Sequence, residues 1–321
     1  MNSTLGNIGN YLVGWTLITL ALSWLFALTY PLLLRVLNTS GAQQASRTTL
    51  IYVLLPPAAA ILALLILSVP ELAFPLVSPH CHETLCTPHT LHMSTDTLEG
   101  IVSVFSVVII LTGLCTLIAT QLIHSRNRLR VLRDLSEDNS PKYRLIDSPE
   151  HIAWCAGLLR PQIFISSGLL ASLSAEQLHV VLIHEKTHAI RRDNLRKWLL
   201  YWATFTWPKN TKRNIRQNHS NYSEHICDLV AAQLEQKHHK LNDVIDTLAS
   251  TDSIGLDPLT KNKHQRKRVT ALQRELHLQN ASSRSKNISR FLPEFLIAAI
   301  WLLSVITAVH FGHPLLEWLS S

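Results

Sequence analysis

The chain has 321 residues, of which 47% are apolar and only 16% are charged. Soluble globular proteins carry roughly 25% charged residues, so the composition argues against an ordinary soluble protein. The net charge of +7 would suit a nucleic-acid-binding protein, but no nucleic-acid-binding motif accompanies it, and direct nucleic-acid binding is not expected.

Four apolar runs are each long enough to cross a lipid bilayer, which takes about 20 mostly apolar residues. In chain order they are residues 11–34, 49–69, 100–123 and 291–311. One such run would also fit a buried helix of a large soluble core. Four of them in a chain of this size predict a multi-pass membrane protein.

The basic residues orient the predicted spans. Of the 29 Lys and Arg residues, Arg35 and Arg47 lie between the first two spans, and the other 27 lie in residues 124–290. Positively charged loops stay in the cytoplasm. The sequence therefore predicts a multi-pass membrane protein with both termini outside the cytoplasm. Its domains are three spans in residues 1–123, a cytoplasmic domain in residues 124–290, and a fourth span with a short outer tail in residues 291–321.

The predicted outer loop, residues 70–99, holds Cys81 and Cys86, with His80 and His82 beside them. In an oxidising compartment, a disulfide between the two cysteines is the simpler interpretation. A metal site shared by Cys and His side chains is the alternative. The remaining cysteines are predicted to be free buried thiols: Cys115, Cys155 and Cys227.

Short strands and a capped helix are predicted after the third span, which itself continues as a basic helix. Residues 143–146 and 161–166 are typical of strands. Ser174 and Gln177 match a capping box, which starts a helix that runs to His188.

The next segments are predicted from their composition. Residues 195–208 are apolar and rich in Trp but too short to cross a bilayer, so they lie at its surface or pack beneath the spans. Residues 209–222 are interpreted as a polar connector, and a second helix is predicted to begin near Ser223. Residues 253–290 are predicted to be polar and partly helical.

Residues 184–188 read His-Glu-Lys-Thr-His, which is an HExxH motif. On a helix, His184 and His188 lie one turn apart on one face and can bind a single zinc ion. Glu185 is then placed to take a proton from a water molecule. A chance match in a His-rich chain is the alternative, but the capped helix and the apolar run before the motif favour a metal site.

A third ligand is expected from the second predicted helix. Glu224 would complete a His-His-Glu set and leave the fourth zinc position open. Asp228, one turn further on, can accept a hydrogen bond from a ligand histidine and fix its tautomer. A solvated acidic pair is the alternative for these two residues. His225 is a rival ligand, although on a helix it points about 100° away from Glu224.

The run HEKTHAIRRD, the Trp-containing apolar segment and the later EHICD together resemble the membrane metallopeptidases of the BlaR/MecR antirepressor type. The segment DSPEHIAWCAGLLRPQIFISSGLL, residues 268–272 and the four-span layout are also similar. The resemblance implies a mostly α-helical membrane protein with a cytoplasmic α+β gluzincin domain between the third and fourth spans. It also implies one zinc ion bound by His184, His188 and Glu224, Glu185 as the catalytic base, and a protein substrate such as a cytoplasmic transcriptional repressor.

The chain departs from the BlaR/MecR type in two ways. No penicillin-binding sensor domain follows the fourth predicted span, so β-lactam sensing through such a domain is not expected. Lys186 occupies a position that is usually apolar in the family, although this change removes no ligand. In such folds the segment equivalent to residues 157–166 often supplies an edge strand, to which a substrate peptide is expected to add by main-chain hydrogen bonds.

Two other functions stay open at this stage. HtpX-type peptidases, which perform quality control of membrane proteins, have a similar HExxH motif and downstream Glu. The arrangement of three spans before the domain and one after it favours the antirepressor type. The third possibility is a transmembrane sensor with a structural zinc site, against which Glu185 argues because a structural site needs no base. The substrate, the stimulus and the oligomeric state are left open.

Overall fold

The computed structural model describes residues 2–69, 98–235, 295 and 297–311. In chain order its elements are α1 (Asn2–Leu37), α2 (Ala42–Leu67), α3 (Leu98–Asp134), β1 (Ser136–Ser140), β2 (Tyr143–Ile146), β3 (Ala153–Ala156), β4 (Gln162–Ser166), α4 (Ser167–Ser172), α5 (Ala175–Arg191), α6 (Asp193–Ala203), α7 (Lys209–Glu235) and α8 (Ile297–Phe311). The predicted loop residues His80, Cys81, His82 and Cys86 lie outside the described residues, as do residues 236–294.

Within the described residues, three helices are long and apolar enough to cross a membrane: Ile8–Leu37, Ala42–Leu67 and Val104–Asp134. They coincide with the first three predicted spans. Helix α8 is apolar, but its described part is shorter than a span. Part of the fourth predicted span falls outside the described residues, so that span stays a prediction.

Helices α1, α2 and α8 pack together through a continuous apolar cluster. Small residues of α2 let the neighbouring helices approach closely, because Ala59, Ala60 and Ala63 are completely buried in this cluster. Among the described residues, none in the apolar window of α3 is fully buried, although Val104 and Val107 pack against this cluster. Its apolar side chains are therefore available to lipid.

A second apolar cluster joins the ends of α1 and α2 to the segment around α6 and α7. Leu200, Trp207 and Ile215 are buried there. The ring of Trp207 meets the ring of Tyr52 edge-on, at 6.4 Å between centroids. Of the two predicted placements for residues 195–208, the structure shows packing against the candidate spans.

The sheet has the order β1-β2-β4-β3, with β2 and β4 parallel and the other pairs antiparallel. Phe164 and Ile165 of β4 are completely buried because β4 lies inside the sheet. The prediction that residues 157–166 supply an edge strand is therefore wrong. Residues 153–156 turn back at Gly157 and pair with β4, so that β3 forms the edge next to α5.

The predicted connector at residues 209–222 is also wrong, because α7 begins at Lys209 rather than near Ser223. Ile215 and His219 lie four residues apart on one buried face of this helix, whereas Arg213, Asn214 and Gln217 are exposed. Of the three predicted buried thiols, Cys227 is buried but Cys115 is exposed on α3. Lipid around α3 would cover that thiol.

Candidate metal centre

The two motif histidines and Glu224 meet where α5 packs on α7. The capping box predicted at Ser174 starts α5. His184 Nε2 and His188 Nε2 are 3.2 Å apart. Glu224 Oε2 lies 3.6 Å from His184 Nε2 and 3.3 Å from His188 Nε2. Ligand atoms of a tetrahedral zinc ion, with bonds of about 2.0–2.1 Å, lie about 3.3–3.4 Å apart, so these three atoms fit zinc.

The outer nitrogen of each histidine faces a buried carboxylate. His188 Nδ1 donates a hydrogen bond of 2.8 Å to Asp193 Oδ2. His184 Nδ1 lies 3.1 Å from Asp228 Oδ1, although the two groups are not aligned for a linear hydrogen bond. Both contacts turn the Nε2 atoms towards the position a metal would take. Asp228 thus lies beside the outer nitrogen of His184, and its role as the partner of a metal ligand stays a prediction.

Asp193 was not predicted as a partner, and a left-handed turn explains its position. Arg192 has a φ of 53° and a ψ of 47°, which ends α5 and starts α6 in a new direction. This conformation costs roughly 1–2 kcal/mol for a residue with a Cβ atom. The turn brings Asp193, the first residue of α6, back beside His188. The only signal in the sequence was an acidic residue five positions after the second histidine.

The acidic partners favour protonated histidines when no metal is bound. Burial alone lowers the pKa of His184, but contacts with Asp228 and Glu224 outweigh it and raise that pKa to about 10. Burial likewise lowers the pKa of His188, and its bond to Asp193 helps to raise it to about 12. Zinc must displace these protons to bind.

Cys227 is a second candidate for the third ligand. His184, His188 and Cys227 offer ligand atoms that all lie within 4.8 Å of one another. However, Cys227 Sγ lies 4.0 Å from Asp193 Oδ2, the atom that binds His188 Nδ1. The thiol is therefore on the outer side of the His188 ring, whereas Glu224 contacts both Nε2 atoms. This geometry favours Glu224.

Glu185 interacts electrostatically with both motif histidines and with Cys155 of the edge strand β3. Burial raises its pKa, while the positive charges of His184 and His188 act to lower it. A carboxylate whose pKa is raised holds a proton more readily, which suits a general base. Burial first, and then the charge of Glu185, raise the pKa of Cys155 in β3 to about 12, so this thiol stays protonated.

Two residues of α6 contact the site without having been predicted. Lys197 Nζ donates to Glu224 Oε1 at 3.3 Å, which leaves Oε2 for a metal. Asn194 Nδ2 donates to the Cys155 carbonyl at 2.8 Å and ties β3 to the start of α6. Lys186, the unusual residue of the motif, is exposed and points away from the buried site.

A family model for peptidase family M48 matches residues 119–317. The chain belongs to peptidase family M48. The match confirms a membrane-associated metallopeptidase, of a family that is generally zinc-dependent, while the BlaR/MecR subtype stays a prediction. No curated protein and no solved structure matches the chain.

Proposed function

We propose that this M48 family member is a membrane-embedded zinc endopeptidase that hydrolyses peptide bonds of a protein substrate, with one zinc ion held by His184, His188 and Glu224. The observation that carries the proposal is the spacing of the three ligand atoms, 3.2–3.6 Å, on a site that also holds Glu185. A site of three protein ligands with an open position is typical of catalytic zinc.

The residues divide the work of hydrolysis. Zinc, when bound, lowers the pKa of a coordinated water and polarises the peptide carbonyl. Glu185 takes the proton from the attacking water and passes it to the leaving amine nitrogen. Asp193 and Asp228 keep the ligand rings in place. The strand β3 forms an edge of the sheet, and an extended substrate segment would be held there by hydrogen bonds to main-chain groups that Asn194 does not occupy.

The test of catalysis is Glu185→Gln. This variant should keep its zinc, because Glu185 is not a ligand, and should lose about 10²–10⁴-fold in the rate of substrate hydrolysis. Zinc content and cleavage would be measured on the purified full-length protein. Glu176→Gln is the matched control, since Glu176 is an exposed glutamate on the first turn of the same helix. Full activity in Glu185→Gln would refute the proposal.

We propose inactivation of a cytoplasmic transcriptional repressor as the biological role, on the resemblance of residues 145–228 to the antirepressor type. The inactive Glu185→Gln variant can act as a substrate trap in cells. Capture of a small DNA-binding protein would support this role. Capture of misfolded membrane proteins would instead support quality control, the function of the HtpX type.

The predicted orientation is also a proposal: a bacterial cytoplasmic membrane, with the zinc domain inside and both termini outside. The distribution of the 29 basic residues supports it. Reporter enzymes fused after residues 90, 220 and 321 would give the side of each segment. A cytoplasmic signal at residue 90, or a periplasmic one at residue 220, would refute this orientation.

A further inference from the structure

A buried chain of polar contacts leads from the start of helix α2 to the ligand His188. Arg191 Nη2 donates to Ser46 Oγ at 3.3 Å. The Nε atom of the same guanidinium lies 3.3 Å from Asp193 Oδ1 and 3.4 Å from Oδ2. Asp193 Oδ2 in turn accepts the hydrogen bond from His188 Nδ1. Three successive contacts thus connect a candidate membrane span with a metal ligand.

We infer that Ser46 and Arg191 are positioning residues through which helix α2 sets the orientation of His188. The inference rests on the zinc site proposed above and names a route by which the membrane part acts on it. Neither residue touches the position of the metal or the substrate. Both act through Asp193, which holds the imidazole ring.

These polar contacts contribute strongly to the geometry of the site because the side chains that form them are shielded from water. Ser46 has 0% of its surface exposed, Asp193 has 1%, and the Arg191 side chain has 12%. Water cannot replace a lost partner in such a place, so breaking one contact leaves a buried polar group unsatisfied. Hydrogen bonds that involve charged groups are also stronger than neutral ones.

Ser46 is fixed from a second side by α7. Its Oγ atom lies 3.4 Å from His219 Nε2, and His219 is completely buried. Because Ser46 Oγ accepts from Arg191, its own hydroxyl proton is available to His219 Nε2. A shift or rotation of α2 therefore moves the Ser46 hydroxyl group, which contacts Arg191 of α5 and His219 of α7.

The test compares hydroxyl removal at two buried positions of α2. Ser46→Ala removes the contact to Arg191. Thr49→Val removes an equally buried hydroxyl group, which donates to the Ala45 carbonyl within the same helix. Zinc affinity would be measured by chelator competition on the full-length protein in lipid nanodiscs. We expect Ser46→Ala to weaken zinc binding about threefold to tenfold and Thr49→Val to leave it unchanged.

Two further variants separate positioning from general damage to the fold. Ser46→Thr keeps the hydroxyl group and should restore the affinity. Arg191→Gln should weaken zinc binding, and the double variant with Ser46→Ala should lose little more than Arg191→Gln alone, because both act through one chain of contacts. Equal affinities for Ser46→Ala and Thr49→Val, or independent losses in the double variant, would overturn the inference alone. A wild type that binds no zinc would overturn the proposed function as well.

Discussion

Glu224 and Cys227, three residues apart on α7, both lie near the two histidines. The positions of Glu224 Oε2 and Cys227 Sγ decide which of them is the better candidate for the third metal ligand. Glu224 Oε2 contacts both Nε2 atoms, whereas Cys227 Sγ lies near the carboxylate behind His188. Burial also raises the pKa of the Cys227 thiol. Zinc binds thiolate rather than thiol, so this burial works against Cys227 as a ligand.

This comparison predicts opposite results for two substitutions. Glu224→Ala should weaken zinc binding by more than the roughly 10–100-fold loss that removal of an outer partner causes. Cys227→Ala should retain an affinity close to that of the wild type. Zinc per chain, measured by plasma emission after dialysis against a chelator, would decide. Retention by Glu224→Ala together with loss in Cys227→Ala would make Cys227 the ligand.

Because the spacing of an HExxH motif matches the helix repeat, the sequence could predict that His184 and His188 lie side by side, and their Nε2 atoms are 3.2 Å apart in the structure. Glu224 and Asp228 followed from the need for a third ligand and an outer partner. Asp193 and Lys197 were missed because their positions depend on the left-handed turn at Arg192. Such a turn is usually predicted from a glycine, and this one has an arginine instead. Their roles could be assigned only once the direction of α6 was known.

The pairing of β3 with β4 depends on the turn that begins at Gly157. Gly157 has a φ of +104°, and a Cβ atom there would lie 2.9 Å from the Arg160 carbonyl oxygen and 3.3 Å from Pro161 Cα. Both neighbours belong to the backbone and cannot swing away. The turn therefore requires glycine. The pairing of the edge strand β3 with β4 depends on this turn.

Gly157→Ala should lower the stability of the domain by about 1–3 kcal/mol, since it forces a residue with a Cβ atom into a disfavoured conformation. Thermal unfolding in detergent would measure the change in Tm. Gly113→Ala is the control, because a Cβ atom at Gly113 in α3 would meet nothing within 4 Å. An unchanged Tm in Gly157→Ala would show that the turn relaxes.

Helices and strands with a clear sequence signal were predicted correctly, whereas those without such a signal were missed. The capping box located the start of α5 to the residue. The strand β3 has only four residues and no alternation, and the first half of α7 is so polar that its buried face rests on a few widely spaced residues. Tertiary packing, rather than local propensity, makes both of them regular.

Helix α7 packs against α1 and α2 through a shared apolar cluster, and His219 of α7 contacts Ser46 of α2 beside it. Burial lowers its pKa to about 4. Asp193 acts in the opposite direction, and the other charged groups that act on it lower the pKa further: Arg196, Lys197 and Arg191. The folded protein therefore keeps His219 neutral over a pH range where an unfolded chain protonates it.

Stability should consequently fall with acid. Above the unfolded pKa of about 6.5 the stability is fully present, and it is lost as the pH falls towards 4, because only the unfolded chain gains the proton. The wild type should lose up to about 3 kcal/mol over this range that His219→Gln does not lose. Thermal unfolding of both proteins between pH 4 and pH 7.5 would measure it. Parallel curves would contradict the assignment.

The composition was enough to predict a membrane protein, and three of the predicted spans are suitable helices. It could not show how α6 and α7 pack against these helices. Residues 195–208 fitted either the membrane surface or a place beneath the spans, because apolar, Trp-rich segments suit both. Leu200, Trp207 and Ile215 settle this by packing on α1 and α2.

The contact between Ser46 and Arg191 also limits how far from the membrane a substrate can be cut. Ser46 lies three residues, about 4.5 Å along the helix, before the apolar run that begins at Thr49. Only the side chains of Arg191 and Asp193 separate Ser46 from His188, so a peptide bond cut at the proposed zinc site would lie close to the bilayer edge. A substrate anchored in the same membrane needs only a few extended residues, at about 3.3–3.6 Å each, between its anchor and the cut. A soluble substrate must instead present an unfolded segment flat against the lipid headgroups.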